Sequence, residues 1–561
     1  MLLSGELMYP LYNTVAPWAI TYGEQNTNQP LMSYWNSMYR ALRECNIFLE
    51  NIDNVPDLES FERDAWVGEV KFLKAYYHFW LLQLYGPIPI VKDNIPIYAQ
   101  PEDVRVSRAP VDEVVNYIVE LLDESIALLP DLVRNETSEL GRITKPIAAG
   151  IKARVLVYAA SPLFNGNTDY QGYNNKDGTP LFNTTYVQEK WERAAVAAKE
   201  AIDLAESLNY ELYTFTETQQ ARNLSTETKL KLNTRVMFTE RWNREIIWAN
   251  TNTNSDDLQR QATPRGLDPA ALGNSQPRSN FSTSYEITQQ FYSKNGVPIT
   301  EDVEWSYGNR YQLRTATYDE RYYIKDGYVT AEYNFEREPR FYATYGFDGG
   351  IWYGQGRYDE ANSFYIMGKV KQTHGKTGPG NHTITGYFPK KYIHYTNVMT
   401  ATGNVYSVER YPWIMLRLAE LYLLYAEAAN EAYGPGAEIF QYLDLVRARA
   451  GLGGVVESWS TYSRFPNKPQ TKEGLREIIR QERNIELALE GHYYFDQLRW
   501  KTAMDLFNGP ISGWDIDQEM AESYYRERVI RRRVFSLRDY FWPIREYDLI
   551  VNKNLVQSPG W

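Results

Sequence analysis

The chain has 561 residues, and its 59 lysines and arginines against 71 aspartates and glutamates leave a net charge of −12. That acidic balance argues against a surface built for nucleic-acid phosphates, a local basic patch aside. A single cysteine, Cys45, excludes internal disulfides and multi-cysteine metal sites, and no run of roughly 18 apolar residues is present to span a membrane as a helix.

Met1 to Pro30 reads as irregular, with Trp18 and Tyr22 in a setting of Thr, Asn and Gln. Two helices are predicted next, Leu31 to Asp53 and Leu58 to Tyr85, joined by the short Asn54 to Asp57 break, which makes an antiparallel hairpin. Cys45 falls in the first and reads as a buried thiol. In the second, Phe72, Leu73, Tyr76, Phe79 and Leu84 recur at three- and four-residue steps over more than one face, so the helix should be buried on several sides. Gly86, Pro87 and Pro89 then end it and extend the chain.

A polar loop spans Lys92 to Pro110. Helices follow over Val111 to Leu129, Ile143 to Phe164 and Trp191 to Leu208, the last two rich in alanine that permits close packing. Further predicted helices cover Trp413 to Glu431, Ile439 to Ala450 and Thr471 to Glu490. Helix pairs recurring at similar lengths outline tetratricopeptide-like units stacked into a superhelix. The segment from Tyr210 to Tyr411 differs: short β-like runs at Glu245 to Asn250 and Phe364 to Val370 alternate with Gly-, Asn- and Tyr-rich loops. The expected organisation is therefore one mainly α unit over residues 1–561, with helical repeats at 31–208, an irregular insertion at 209–411 and a C-terminal helical region at 412–561. Long insertions positioned by a scaffold commonly carry function.

The acidic residues invite a catalytic reading. Glu482, Glu486 and Glu490 step along one predicted helix face beside Arg483 and ahead of Asp496, Arg499 and Trp500, a pattern that suits interhelix ion pairs better than carboxylates opposed across a substrate. Glu420 and Glu427 read the same way. His78, His374, His382, His394 and His492 never fall in a metal-binding spacing. The loop Asn165 to Pro180 offers oxygens to calcium without ordered carboxylate spacing and reads as a solvated turn, so no cofactor is expected. The basic run Arg526 to Arg533 reads as a solvated or carboxylate-paired helix face. The 46 tyrosines and 15 tryptophans exceed what a helical core requires. Rings with a polar handle suit a surface that meets ligand and water together.

Several stretches resemble the SusD/RagB family of outer-membrane nutrient-binding lipoproteins. GEVKFLKAYYHFWLLQLYGPIPIV, Gly68 to Val91, is similar to the helix and turn of its first repeat, with Glu69, Phe72, Leu73, Ala75, Tyr76, Phe79, Gly86, Pro87 and Pro89 at matching places. Ser284 to Thr300, REPRF at Arg337 to Phe341, TGYFPKKYI at Thr385 to Ile393 and Tyr411 to Glu431 follow in the family's order, the last with Arg417, Glu420, Tyr422, Leu423, Ala426 and Glu427 matching. Leu443 to Leu452, Arg480 to Trp500 and the final stretch to Trp561 complete the resemblance over nearly the whole chain. It implies a SusD-like α/α superhelix and a non-catalytic cell-surface receptor that captures oligosaccharide, or less often peptide, for a SusC-like TonB-dependent outer-membrane transporter. Family members carry an export signal and a lipid-modified cysteine, absent here, so the chain reads as a truncated mature form. The candidate stacking platform is Trp18, Tyr22, Trp305, Tyr307, Trp352 and Tyr353, rings that could equally fill a local core. An all-helical glycoside hydrolase and a peptide-binding scaffold remain as alternatives.

Overall fold

The computed structural model describes residues 1–10, 15–96 and 98–561; residues 11–14 of the expected irregular start and residue 97 of the expected loop lie outside them. The first hairpin pairs α1 (Trp35–Asn51) with α2 (Ser60–Tyr85). Phe72, Ala75, Phe79, Leu81, Leu82 and Tyr85 are all buried along α2, which packs against α1 and α3 (Val111–Leu128). Gly86 ends it at φ 69°, a backbone angle that a side chain disfavours.

The alanine-rich helices behave as their composition demands. α4 (Lys145–Ala160) starts on Pro146 and packs along α5 (Glu189–Ser207), where Ala194, Ala198 and Ala201 are fully buried. A Cβ on Gly150 would come within 2.4 Å of the Leu416 side chain, so only glycine lets α4 approach the downstream chain this closely. The helix expected at Trp413 to Glu431 is instead two elements. Trp413–Arg417 pairs antiparallel with Ile246–Asn250, and a helix starts only at Leu418. The reason is local: Ile414 and Leu416 alternate inward with period two, and Arg417 is extended.

Beyond α5 comes a helix that the sequence pattern hides, α6 (Thr226–Thr239). Lys231, Asn233 and Arg235 are buried in it beside Leu232 and Val236, so no apolar stripe marks it. The strand of Ile246–Asn250 is β1, and Trp413–Arg417, β2, leads into α7 (Leu418–Tyr433), which packs on both α4 and α5. α8 (Ala437–Arg449) and α9 (Lys472–Glu486) follow; α9 stops short of Glu490, and Leu489 takes φ 66° in the turn before α10 (Tyr493–Arg499). Of the β-like run at Phe364 to Val370 only Phe364–Tyr365 is strand, paired with Ile351–Trp352. The basic run is not a helix face: Glu527–Arg532 (β4) pairs with Pro510–Trp514 (β3).

The architecture is thus a mainly helical superhelix carrying an insertion of short two-stranded pieces. The insertion adds an aromatic cluster to the core, in which Tyr285, Tyr333, Phe341, Tyr345, Phe347 and Tyr387 pack with Trp514 of the C-terminal region, mostly ring to edge, with Tyr285 stacked on Tyr333. Two of their polar handles meet, Trp514 Nε1 donating to the Tyr387 hydroxyl at 3.0 Å. Much of the tyrosine excess is therefore spent on packing irregular chain.

Candidate functional site

The carboxylates that invite a catalytic reading are structural. Glu486, at the end of α9, meets Arg340 at 3.0 Å and Arg417 at 2.8 Å and also pairs with Arg449. Glu482 meets Arg340 at 2.6 Å, and Glu490 meets Arg417 at 2.8 Å and Lys391 at 2.6 Å. Glu427 is gripped by Arg499 at 2.6 Å, and Asp496 bridges Arg483 and Arg499, each at 2.8 Å. These groups are almost wholly buried. Burial alone would raise the Glu420 carboxyl, but Arg154 at 2.6 Å, with His492 and Arg483, overrides it and holds the group at about 2. Burial likewise opposes, and Arg449, Arg417 and Arg340 overcome, in keeping Glu486 well below the usual carboxylate range. A carboxylate held ionised by fixed guanidiniums cannot act as a proton donor at neutral pH.

The sequence-predicted platform divides into three places. Trp18 is buried and Tyr22 is 42% exposed; the Arg531 guanidinium lies 3.6 Å from the first ring and 4.1 Å from the second. Trp305 is 4% exposed and donates to the Phe335 carbonyl, while Tyr307, 6.3 Å away ring to ring, is half-buried. Trp352 has no exposed surface and lies under Arg235 and Lys390, and Tyr353 is buried against Tyr395. The expectation of a stacking surface at Trp18, Trp305, Trp352 and Tyr353 is corrected: rings enclosed by neighbours have no face to offer, and they serve as core. Tyr22 and Tyr307 keep open surface.

A cleft of about 720 Å³ lies between the 284–301 segment and the C-terminal helices, and Tyr307, with the Arg310 guanidinium 4.1 Å from its ring, stands behind the lining. Its hydroxyl accepts from Gln289 Nε2, and Gln289 lines the cleft. Gln290 donates to the Tyr493 hydroxyl at 2.9 Å, and Gln481 to the Gln290 carbonyl at 2.8 Å, so the amides are held at fixed angles. Arg480 stacks on Trp500 at 4.9 Å, and Arg533 donates to the Ser4 and Leu506 carbonyls. The Nε atoms of both arginines are buried without an acceptor among the described residues. Burial pulls Arg480 down to about 10 and raises the carboxyl of Glu286, which accepts from the Ser512 amide and hydroxyl. Amides, a carboxylate and unspent guanidinium donors around an open hollow can orient several hydroxyls of one ligand.

Sequence reasoning missed Gln289, Gln290, Arg480 and Gln481. The signal was present: the first two sit in the Ser284 to Thr300 stretch and the others open the Arg480 to Trp500 stretch. In the Asn165 to Pro180 loop, Asp169 is paired with Lys501 at 2.6 Å and Asp177 accepts from the Thr179 amide at 2.9 Å. Among the described residues no cluster of three or more His, Cys, Asp or Glu could hold a metal.

Comparison with known proteins gives the family and the fold. Residues 244–561 match the family model described as SusD family, and residues 9–157 match one described as "Starch-binding associating with outer membrane". SusD-like protein P25 of Formosa agariphila is 40% identical over 93 residues, which cover 17% of this chain and 16% of that protein. The solved structure of BT4246 superimposes with a TM-score of 0.84 at 26% identity, covering 100% of this chain and 94% of that one. A laminarin-binding SusD-like protein shares the fold with a TM-score of 0.53 at 19% identity, over 100% of this chain and 93% of its own. The first match takes in more than half of the chain, and the protein belongs to the SusD family.

Proposed function

We propose that this protein is a non-catalytic glycan receptor, an outer-membrane surface lipoprotein that holds an oligosaccharide in the cleft beside Tyr307 and passes it to a SusC-like TonB-dependent transporter. The observation that carries the binding reading is the cleft's donor set: glutamine amides held in place, Gln289 by the Tyr307 hydroxyl behind it, and two arginine Nε donors without acceptors, around an open hollow. Sugar hydroxyls need such convergent donors and acceptors. The starch-binding description of the family model over 9–157 and the laminarin-binding neighbour support carbohydrate as the ligand class. Transfer to a transporter rests on family membership alone.

A hydrolase reading has one observation in its favour, the raised carboxyl of Glu286 at the cleft wall. Incubation with neutral polysaccharides separates the two: new reducing ends would overturn the receptor reading. The direct test is the Tyr307→Ala, Gln481→Ala double variant titrated with a panel of neutral oligosaccharides. Affinity should fall about tenfold or more while thermal unfolding stays near that of the parent. A silent glycan panel beside measurable peptide binding would reassign the ligand class.

A further inference from the structure

A second groove crosses the N-terminal helices. The chain after α3 passes the start of α4 and the end of α5 and meets the turn before β1, enclosing a hollow of about 440 Å³. Through Val133 and Arg142 this hollow continues into a smaller one of about 90 Å³ against the first turns of α2. Each part is lined by an indole, Trp242 in the larger and Trp66 in the smaller. Trp66 is 37% exposed and Trp242 partly so, and among the described residues neither ring is stacked by another ring or by a cation. Phe61 nearby is different, because Arg134 covers its face at 3.8 Å.

Thr144 supplies the second observation. It stands at the N-cap of α4, where a hydroxyl ordinarily accepts from the helix backbone, yet makes no cap bond. Its oxygen is buried without a partner, in a residue only 4% exposed that lines the larger hollow. A buried hydroxyl left unspent costs stability unless something else meets it. Asn209, at φ 65°, stands on the same wall.

The charges select the ligand. Arg142 is held by Glu69 at 2.8 Å and Glu139 at 3.3 Å, and Arg244 by Glu211 at 3.0 Å. Glu62 and Glu136 add negative charge to the lining. Arg134, without a salt bridge among the described residues, lies on the Phe61 ring and is outnumbered by Glu62 and Glu136, and two open indole faces beside hydroxyl and amide groups suit a neutral polyol.

We infer that this groove is a second carbohydrate site, which takes a neutral oligosaccharide across Trp242 and Trp66 with Thr144 meeting one of its hydroxyls. The inference rests on the reading of the protein as a glycan receptor but uses none of the cleft's residues. The test is fluorine NMR of the full chain labelled with 5-fluorotryptophan, the two resonances assigned with Trp66→Phe and Trp242→Phe. The probes are malto-, laminari-, xylo- and mannohexaose, with hexagalacturonate as the acidic arm. Both resonances should shift with at least one neutral hexaose, equally in the parent and in the Tyr307→Ala, Gln481→Ala variant, and stay in place with hexagalacturonate. Resonances unmoved by every neutral hexaose, or moved only by the acidic one, overturn the groove. If they stay in place while affinity still depends on Tyr307, the groove fails and the cleft reading stands. If they shift while the cleft variant binds as the parent does, the groove stands and the cleft reading fails.

Discussion

The N-terminal helices and the seam between the insertion and the C-terminal helices are held together by opposite means. In the first, α4 and α5 meet through alanines, Gly150 lets α4 approach Leu416, and Lys152 pairs with Asp123 at the rim, the buried pair of Arg154 with Glu420 being the exception. In the second, Arg340 and Lys391 of the insertion reach Glu482, Glu486 and Glu490, and Arg417 and Arg449 tie the same carboxylates to Glu245. Regular helices can be positioned by shape alone, since their side chains repeat. An irregular segment has no repeating face, so directional charge-assisted bonds fix its place. Such pairs gain little over well-packed apolar residues, but losing one member leaves a buried charge uncompensated.

That asymmetry gives the largest expected effect. Glu486→Ala takes one buried carboxylate from three guanidiniums at once, leaving each with fewer partners, and should cost about 3–5 kcal/mol in urea unfolding. A loss below about 1 kcal/mol would show that the seam is held by its apolar contacts instead. Acid should act on the buried pairs too, including the one that joins α4 to α7. Glu420 is held at about 2 against an ordinary 4.5, so its contribution is complete above about 4.5 and is lost as pH falls toward 2. For that one group the loss is on the order of 3 kcal/mol. His492, pushed down from 6.5 to about 4 mainly by burial, is neutral when folded, so the unfolded chain binds its proton first and stability starts to decline below about 6.5. Glu338 runs the other way, because burial raises it above the ordinary value and protonation favours the fold. Urea midpoints measured from neutral pH downward should therefore decline gently at first and steeply below about 4.5. A flat profile would show that the buried carboxylates gain nothing from their partners.

The same division governs what can be read from sequence. The positions of α2, α4 and α5 follow from apolar periodicity and small residues, to within a few residues at either end. The pairing role of Glu420, Glu427, Glu482 and Glu486 was legible from spacing, because carboxylates on one helix face beside arginines have few other uses. β2 was hidden because its apolar run abuts a helix and shares its composition; only the distant partner strand, with Ile246 opposite Arg417 and Asn250 opposite Trp413, separates the two. α6 was hidden by its buried lysine, asparagine and arginine, whose partners are backbone carbonyls such as those of Tyr353 and Ile393 around Arg235. The binding surface was the least legible. An aromatic residue that packs a loop and one that meets a ligand are the same letter, and burial separated Trp352 from Tyr307.

Packing in the helical half should respond to volume rather than charge. Gly150→Val places methyl groups where Leu416 already lies, and the expected cost is about 1–3 kcal/mol in urea unfolding with no change in its pH dependence. A pH-dependent loss would mean that the disturbance travels through Leu416 to Arg417 and its carboxylates, and the two modes of assembly would not be separable.

The smallest effect is expected where the seam repeats its chemistry in water. Lys371 of the insertion meets Glu519 of the C-terminal region at 2.8 Å, a distance like those of the buried pairs, but the side chains are 73% and 53% exposed. Both ions keep most of their hydration, screening weakens the attraction, and neither is stranded when the other is removed. Glu519→Gln should leave the urea midpoint unmoved within error at physiological salt. If it shifted as far as Glu486→Ala, proximity of opposite charges rather than their removal from water would be what secures the insertion, and the contrast between rim and interior would fail.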